Sequence, residues 1–271
     1  MGKPPGAPPL LFGSHSHLDH TEGFDQAAVC FDPRNRLHIL GNGQFLRALD
    51  ANLGVFSRHV DKKLLGVHTQ IFYGIMPTRF EATEIRHCNR EPPPEDGDQM
   101  TRSYHHMEEA VQLGQTTVTA FEVNHPAPCL AYVIENAGHR FVFCTDHELR
   151  RGPDDSDPRQ IASREAERRL IQQARGADLL YRDGQYLRTE YDGMKGVGSS
   201  TPVPRLDWGH SCIEDIQEMV AACQISRTLI GHHDPNREWS EREWIDQSLQ
   251  RSSRGTGSSI ELARAETVID L

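Results

Sequence analysis

The apolar residues of the chain fall into short runs, each closing on a polar stretch rich in Gly, Pro, Asp or His. The run at 10–12 predicts one strand, and a second is predicted over 37–40. Residues 116–145 alternate apolar and polar positions through three segments, 116–123, 129–135 and 139–145. That is the period of half-buried strands, with a turn at Asn136-Ala137-Gly138 joining the last two. Buried strands are expected over 177–182 and 227–231. A last strand or hairpin is expected over 260–271, after a Ser/Gly-rich link at 252–259. Helical spacing predicts a helix starting after His20 and helices over 43–53 and 159–175, the latter closed by Gly176. Ser211-x-x-Glu214 reads as a capping box opening a helix that runs to Cys223. Residues 238–250 read as an amphipathic helix carrying Trp239 and Trp244. Strands and helices alternate in the second half, which fits an α/β protein with two sheets between helices. Residues 1–9 read as a disordered lead-in and 10–271 as a single domain. Residues 61–87 are weakly patterned, and 88–103 read as a polar loop centred on Pro92-Pro93-Pro94, solvated in preference to acting as a lid.

Composition narrows the class. The 271 residues are 37% hydrophobic and 25% charged, as in a globular protein, with a formal net charge of −10. Such a charge argues against an extended nucleic-acid surface. An acidic protein acting on phosphates would need cations to reverse its local field. The six cysteines are scattered, with no C-x-x-C, which fits a reduced, cytoplasmic chain. No secretory h-region is evident, and no apolar run approaches the ~18 residues of a membrane span.

The densest chemistry follows the first strand. His15-x-His17-x-Asp19-His20 places four metal-competent side chains directly beyond Phe12. Neutral imidazole and carboxylate suit zinc, manganese or iron better than calcium. One such cluster does not complete a two-ion site, so further ligands are expected just after other strands. The chain has His125 after 118–123, Asp146 after 141–143, and His232-His233 after 229–230. His232 is preferred as the first residue past the strand, with His233 as the alternative. His38, His105 and His106 read as structural or surface residues.

The order His-x-His-x-Asp-His, then His, Asp and His at strand ends, resembles the metallo-β-lactamase superfamily over about residues 10–271. The resemblance implies a four-layer αββα sandwich and two divalent ions, zinc first, with manganese or iron as the other family choices. It implies His15, His17 and His125 on one ion, Asp19, His20 and His232 on the other, and Asp146 bridging. Family members usually carry several strands before the first histidine motif. Room for one strand here leads us to expect truncated N-terminal strands, with exposed edges that favour a homodimer.

Two further residues narrow the reaction. Asp183 ends a strand, and His210 lies in Trp208-Gly209-His210-Ser211. An alkoxide leaving phosphorus needs a proton, which a carboxylate-held histidine supplies. The ribonuclease Z and cyclic-nucleotide phosphodiesterase-like branch carries a matching acidic residue and His-Ser motif in this order. The resemblance therefore implies a catalytic set of Asp19, His210 and Asp183, with His210 as general acid. The simpler alternative has His210 capping a helix and Asp183 merely ending a strand. The implied activity is metal-dependent hydrolysis of a small phosphodiester, such as a cyclic nucleotide, by metal-activated hydroxide. The chain lacks the long basic arm with which ribonuclease Z clamps its RNA. Two other readings stay open: a carboxylic-ester, thioester or lactone hydrolase, and a truncated metal-binding member without turnover.

Overall fold

The computed structural model describes residues 8–53, 76–87 and 102–271. Most of the expected lead-in, the weakly patterned stretch up to residue 75 and nearly all of the proline-rich loop lie outside the described residues. The chain divides into two compact units, Met1–Glu109 and Ala110–Leu271. No helix among the described residues is long and apolar enough to cross a membrane.

In the first unit, β1 (Leu10–Phe12), β2 (Arg36–Gly41), β3 (Arg79–Arg86) and β4 (Arg102–His106) form a sheet in that order. Every neighbouring pair is parallel, so each connection must cross over. Helix α1 (Gly43–Leu53) makes one crossover and packs on β2 and β3. The Asn42 side chain accepts the Phe45 N–H at 2.9 Å and so caps α1, a contact worth about 1 kcal/mol. Leu37 and Ile39 from β2 meet Phe45, Leu46 and Leu49 from α1 in the unit's core. The helix expected after His20 is instead three 3₁₀ turns, Leu18–His20, Glu22–Gln26 and Ala28–Phe31. The stretch has no sustained apolar stripe, and short i→i−3 bonds such as Phe24 N–H to Thr21 O close each turn. His38 lies 2.7 Å from the Thr83 hydroxyl within the sheet.

The second unit holds a seven-stranded sheet. Its strands are β5 (Val111–Leu113), β6 (Thr116–Val123), β7 (Cys129–Asn136), β8 (His139–Cys144), β9 (Leu179–Asp183), β10 (Arg227–Gly231) and β11 (Ser259–Leu262), and they lie side by side in chain order. β5 to β8 are antiparallel, and β8 to β11 are parallel. Ala137 and Gly138 have φ of 51° and 89°, as a tight β7–β8 hairpin requires. The crossovers carry α2 (Pro158–Ala174), the short α3 (Arg188–Tyr191), α4 (Ile213–Cys223) and α5 (Trp239–Ser252). Leu170 and Ala174 from α2, Ile216 and Val220 from α4 and Leu249 from α5 close over Val142, Leu180 and Ile230 of the sheet.

One local expectation fails at α4. The capping box at α4 does not form: Cys212 stands at the N-cap with no side-chain cap. Ser211 donates its hydroxyl to the buried carbonyl of His147, and Glu214 accepts the Arg188 N–H at 3.0 Å. A buried carbonyl needs a donor more than a partly solvated helix end does. Of the strand or hairpin expected over the final segment, the strand forms, parallel to β10.

Candidate metal centre

Within the first unit, β1 leads straight into the histidine cluster. A Cβ on Gly13 would stand 2.0 Å from the Phe45 ring, so only glycine lets α1 seat against the strand end. Asn42, the α1 cap, also donates to Ser14 O at 3.1 Å. One side chain thus fixes both the helix and the start of the motif. His15 is fully buried, with Nδ1 3.2 Å from Ser14 Oγ. Its ring centroid lies 4.7 Å from that of His17 and 4.2 Å from that of His20. Asp19 Oδ2 approaches His20 Nε2 at 3.3 Å. The Thr21 hydroxyl donates to His17 O at 3.2 Å and holds the turn. The four donors of the motif therefore gather at one end of the four-stranded sheet.

Within the second unit, the topology performs the same task over a longer span of chain. β6, β8, β9 and β10 all run in one direction, so His125, Asp146, Asp183 and His232 emerge at the same edge. Asp146 is 1% exposed, and its two oxygens face different histidines. Oδ1 lies 3.4 Å from His232 Nε2, and Oδ2 lies 3.6 Å from His125 Nε2. A carboxylate that bridges two ions has this division of labour. His125 Nδ1 sits 3.0 Å from Ala127 O, a contact that fixes the ring and turns Nε2 toward Asp146.

His232 has φ 55°, a left-handed conformation uncommon for a residue with a Cβ and worth noting at a functional edge. This bend separates the two adjacent histidines. His232 stacks on His210, centroids 4.7 Å apart, whereas His233 lines a cavity with Trp239 and Leu262.

His210 arrives on a loop with its own supports. Its Nδ1 lies 3.2 Å from Asp183 Oδ2. Asp183 is fully buried and also accepts the Ser211 and Gln185 N–H groups at 3.0 and 3.1 Å. Gly209 has φ 93°, and a Cβ there would fall 2.3 Å from the His125 ring. Asp146, His210 and His232 lie close enough to share one ion, so the geometry permits His210 as a ligand as well.

Four residues that the sequence reading passed over complete the site. Glu148 accepts the Asp207 and Gly209 N–H groups, both at 2.9 Å, and the Tyr191 hydroxyl. His147 accepts the Asn124 N–H at Nδ1, 3.0 Å, and meets Glu167 through Nε2 at 2.8 Å. Arg182, wholly buried, pairs with both Glu167 oxygens at 2.9 and 2.7 Å. Burial raises the Glu167 pKa, but Arg182 and His147 outweigh it and hold the carboxyl far below its usual range. Two signals mark Arg182 and Glu167 alone: an arginine inside the apolar run 179–183, and a glutamate on the inward stripe of α2.

The sequence model of the family described as the β-lactamase superfamily domain matches residues 8–233. The chain is a member of the metallo-β-lactamase superfamily. No curated protein matches it by sequence. Solved structures share the metallo-β-lactamase fold at low identity. Zinc-bound PqqB from Methylobacterium extorquens aligns with a TM-score of 0.57 at 14% identity, over 97% of this chain and 73% of that one. Yeast PDE1 aligns at 0.57 and 13%, over 94% and 66%. The short form of human tRNase Z aligns at 0.52 and 14%, over 96% and 78%. Metallo-β-lactamase superfamily members are mostly metal-dependent hydrolases. The donors in each unit fit divalent cations: they are imidazole and carboxylate, they converge, and the other ring nitrogen of His125 meets a backbone carbonyl while that of His15 meets the Ser14 hydroxyl.

Proposed function

We propose that this chain is a metal-dependent phosphodiesterase acting on a small diester, with His210 as its general acid. In this reading His15, His17 and His125 hold one divalent ion, Asp19, His20 and His232 a second, and Asp146 contributes to both. Zinc is the first choice, with manganese or iron as alternatives. Bound ions would polarise a phosphoryl oxygen and lower the pKa of a water molecule. The chain's own part is proton management. Asp183 engages His210 at Nδ1, so Nε2 is the atom from which a proton passes to the departing alkoxide. The buried carboxylate also stabilises the imidazolium while the proton is held.

The Asp183–His210 contact at 3.2 Å carries this reading. A hydrolase of activated esters has little need of such a pair, because its leaving group departs without help. The likeness in fold to yeast PDE1 and to tRNase Z supports it. The buried thiols of Cys30, Cys129, Cys144, Cys212 and Cys223, which form no disulfide among the described residues, support a reducing, cytoplasmic setting.

The test is His210→Ala. Metal content should stay at the wild-type ratio. Turnover of a cyclic nucleotide, with its poor leaving group, should fall roughly 10²–10⁴-fold, and bis(p-nitrophenyl) phosphate should suffer far less. Equal rates on the cyclic nucleotide would favour the carboxylic-ester, thioester or lactone reading. Loss of an ion would make His210 a ligand, as its closeness to Asp146 and His232 allows.

A further inference from the structure

A cavity of about 370 Å³ lies in the second unit, lined by His233, Trp239, Arg242, Asp246, Leu262 and Arg264 among others. That volume lies within the range of about 300–1,000 Å³ typical of small-molecule sites. The charges around it are unevenly satisfied. Asp246 is saturated: Oδ1 accepts the Leu262 N–H at 2.8 Å, and Oδ2 accepts from Arg264 at 2.8 Å and Gln250 at 3.1 Å. Arg264 is thereby committed. Arg237 is committed to Glu190 at 2.7 and 3.1 Å.

Arg242 has no such partner among the described residues. Its Nε is shielded from solvent and makes no hydrogen bond, and the same is true of His233 Nε2. His233 and Arg242 both line the cavity. Glu243 also contributes to the lining, from an exposed position on α5. Trp239 is 66% exposed and lines this cavity.

We infer that this cavity is a binding site for a small molecule carrying an oxyanion on a flat apolar body. Arg242 receives the oxyanion, with His233 Nε2 as a second polar contact. Trp239 and Leu262 receive the body. The guanidinium fork suits carboxylate and phosphate alike. The site stands apart from the proposed reaction, because His233 and Arg242 take no part in it.

The test uses the full-length, metal-loaded protein and three probes: benzoate, phenylphosphonate and the neutral benzyl alcohol. Binding is followed by tryptophan fluorescence and by calorimetry. At least one anionic probe should bind, and benzyl alcohol should bind more weakly by about tenfold or more. Arg242→Gln and Trp239→Ala should each weaken the anion by about tenfold, Arg242→Lys should restore part of the loss, and His210→Ala should bind as wild type. A preference for benzoate or for phenylphosphonate identifies the oxyanion. The inference is overturned if no probe binds at millimolar concentration, if the neutral probe binds equally well, or if Arg242→Gln leaves anion affinity unchanged.

Discussion

Glu148 holds the loop that carries His210, the general acid of the proposed reaction. Its carboxylate accepts two backbone N–H groups of the loop that delivers His210, at Asp207 and Gly209. Glu148→Gln would set an amide N–H₂ against one of those donors, and the loop would have to shift to relieve the clash. A displacement of about 1 Å at a reacting group costs on the order of 100-fold. We expect kcat to fall 10- to 100-fold (order of magnitude) with metal content unchanged, measured by turnover and atomic spectrometry on the same sample. A variant that lost metal instead would place Glu148 in support of the ligands. Gly209→Ala has a harsher expectation. Both the φ of 93° and the 2.3 Å approach to His125 forbid a Cβ, so activity and metal content should fall together.

The Arg182–Glu167–His147 group works between elements. It joins the end of β6 through Asn124, the end of β8 through His147, the middle of α2 and the last turn of β9. Removing one partner leaves a buried charge alone, at a cost of about 3–5 kcal/mol. Arg182→Met should show that loss in denaturant unfolding, and adding Glu167→Leu should recover much of it. The pH dependence has a definite sign. The folded Glu167 carboxyl is held below its unfolded value of about 4.3. Its contribution is therefore full above that value and disappears as pH falls through the folded pKa. Thermal melts between pH 7 and pH 3 should fall more steeply for wild type than for Glu167→Gln. Parallel curves would remove the ion pair from the account of stability. This group also marks where the sequence stops being legible. β10 was expected over 227–231 and α1 over 43–53, and each forms over those residues, because apolar periodicity is local. The donors of His15-x-His17-x-Asp19-His20 were legible because one strand end presents them together. Glu167 and Arg182 lie on different elements, and neither residue's neighbours in sequence name its partner. Ser211 was misread because cap chemistry was judged without the His147 carbonyl that competes for its hydroxyl.

For the molecule as a whole, bound ions and net charge carry separate expectations. Ions held only by the native state stabilise it by mass action, about 2.7 kcal/mol for each site filled at 100 times its Kd. Chelator treatment should therefore lower Tm by roughly 5 °C or more, and zinc should restore it. An unchanged Tm after verified metal removal would count against a native metal centre. The charge argument concerns substrate size. The chain has 29 basic and 39 acidic residues, and many of its arginines are already paired with carboxylates. Arg140 meets Glu135 at 3.0 Å, Arg150 meets Asp207 at 2.6 Å, and Arg227 meets Glu261 at 2.6 Å. A protein that grips an RNA through six to ten phosphates loses roughly 10³–10⁵ in affinity between 50 and 200 mM salt. Paired arginines offer no such set of contacts, whereas a small diester needs only the ions and a few side chains. We therefore expect transfer RNA to compete poorly with a cyclic nucleotide at low salt, and KM for the small substrate to change little between 50 and 200 mM salt. Strong, steeply salt-dependent inhibition by transfer RNA would mean that an extended basic surface exists and that the substrate is a polynucleotide.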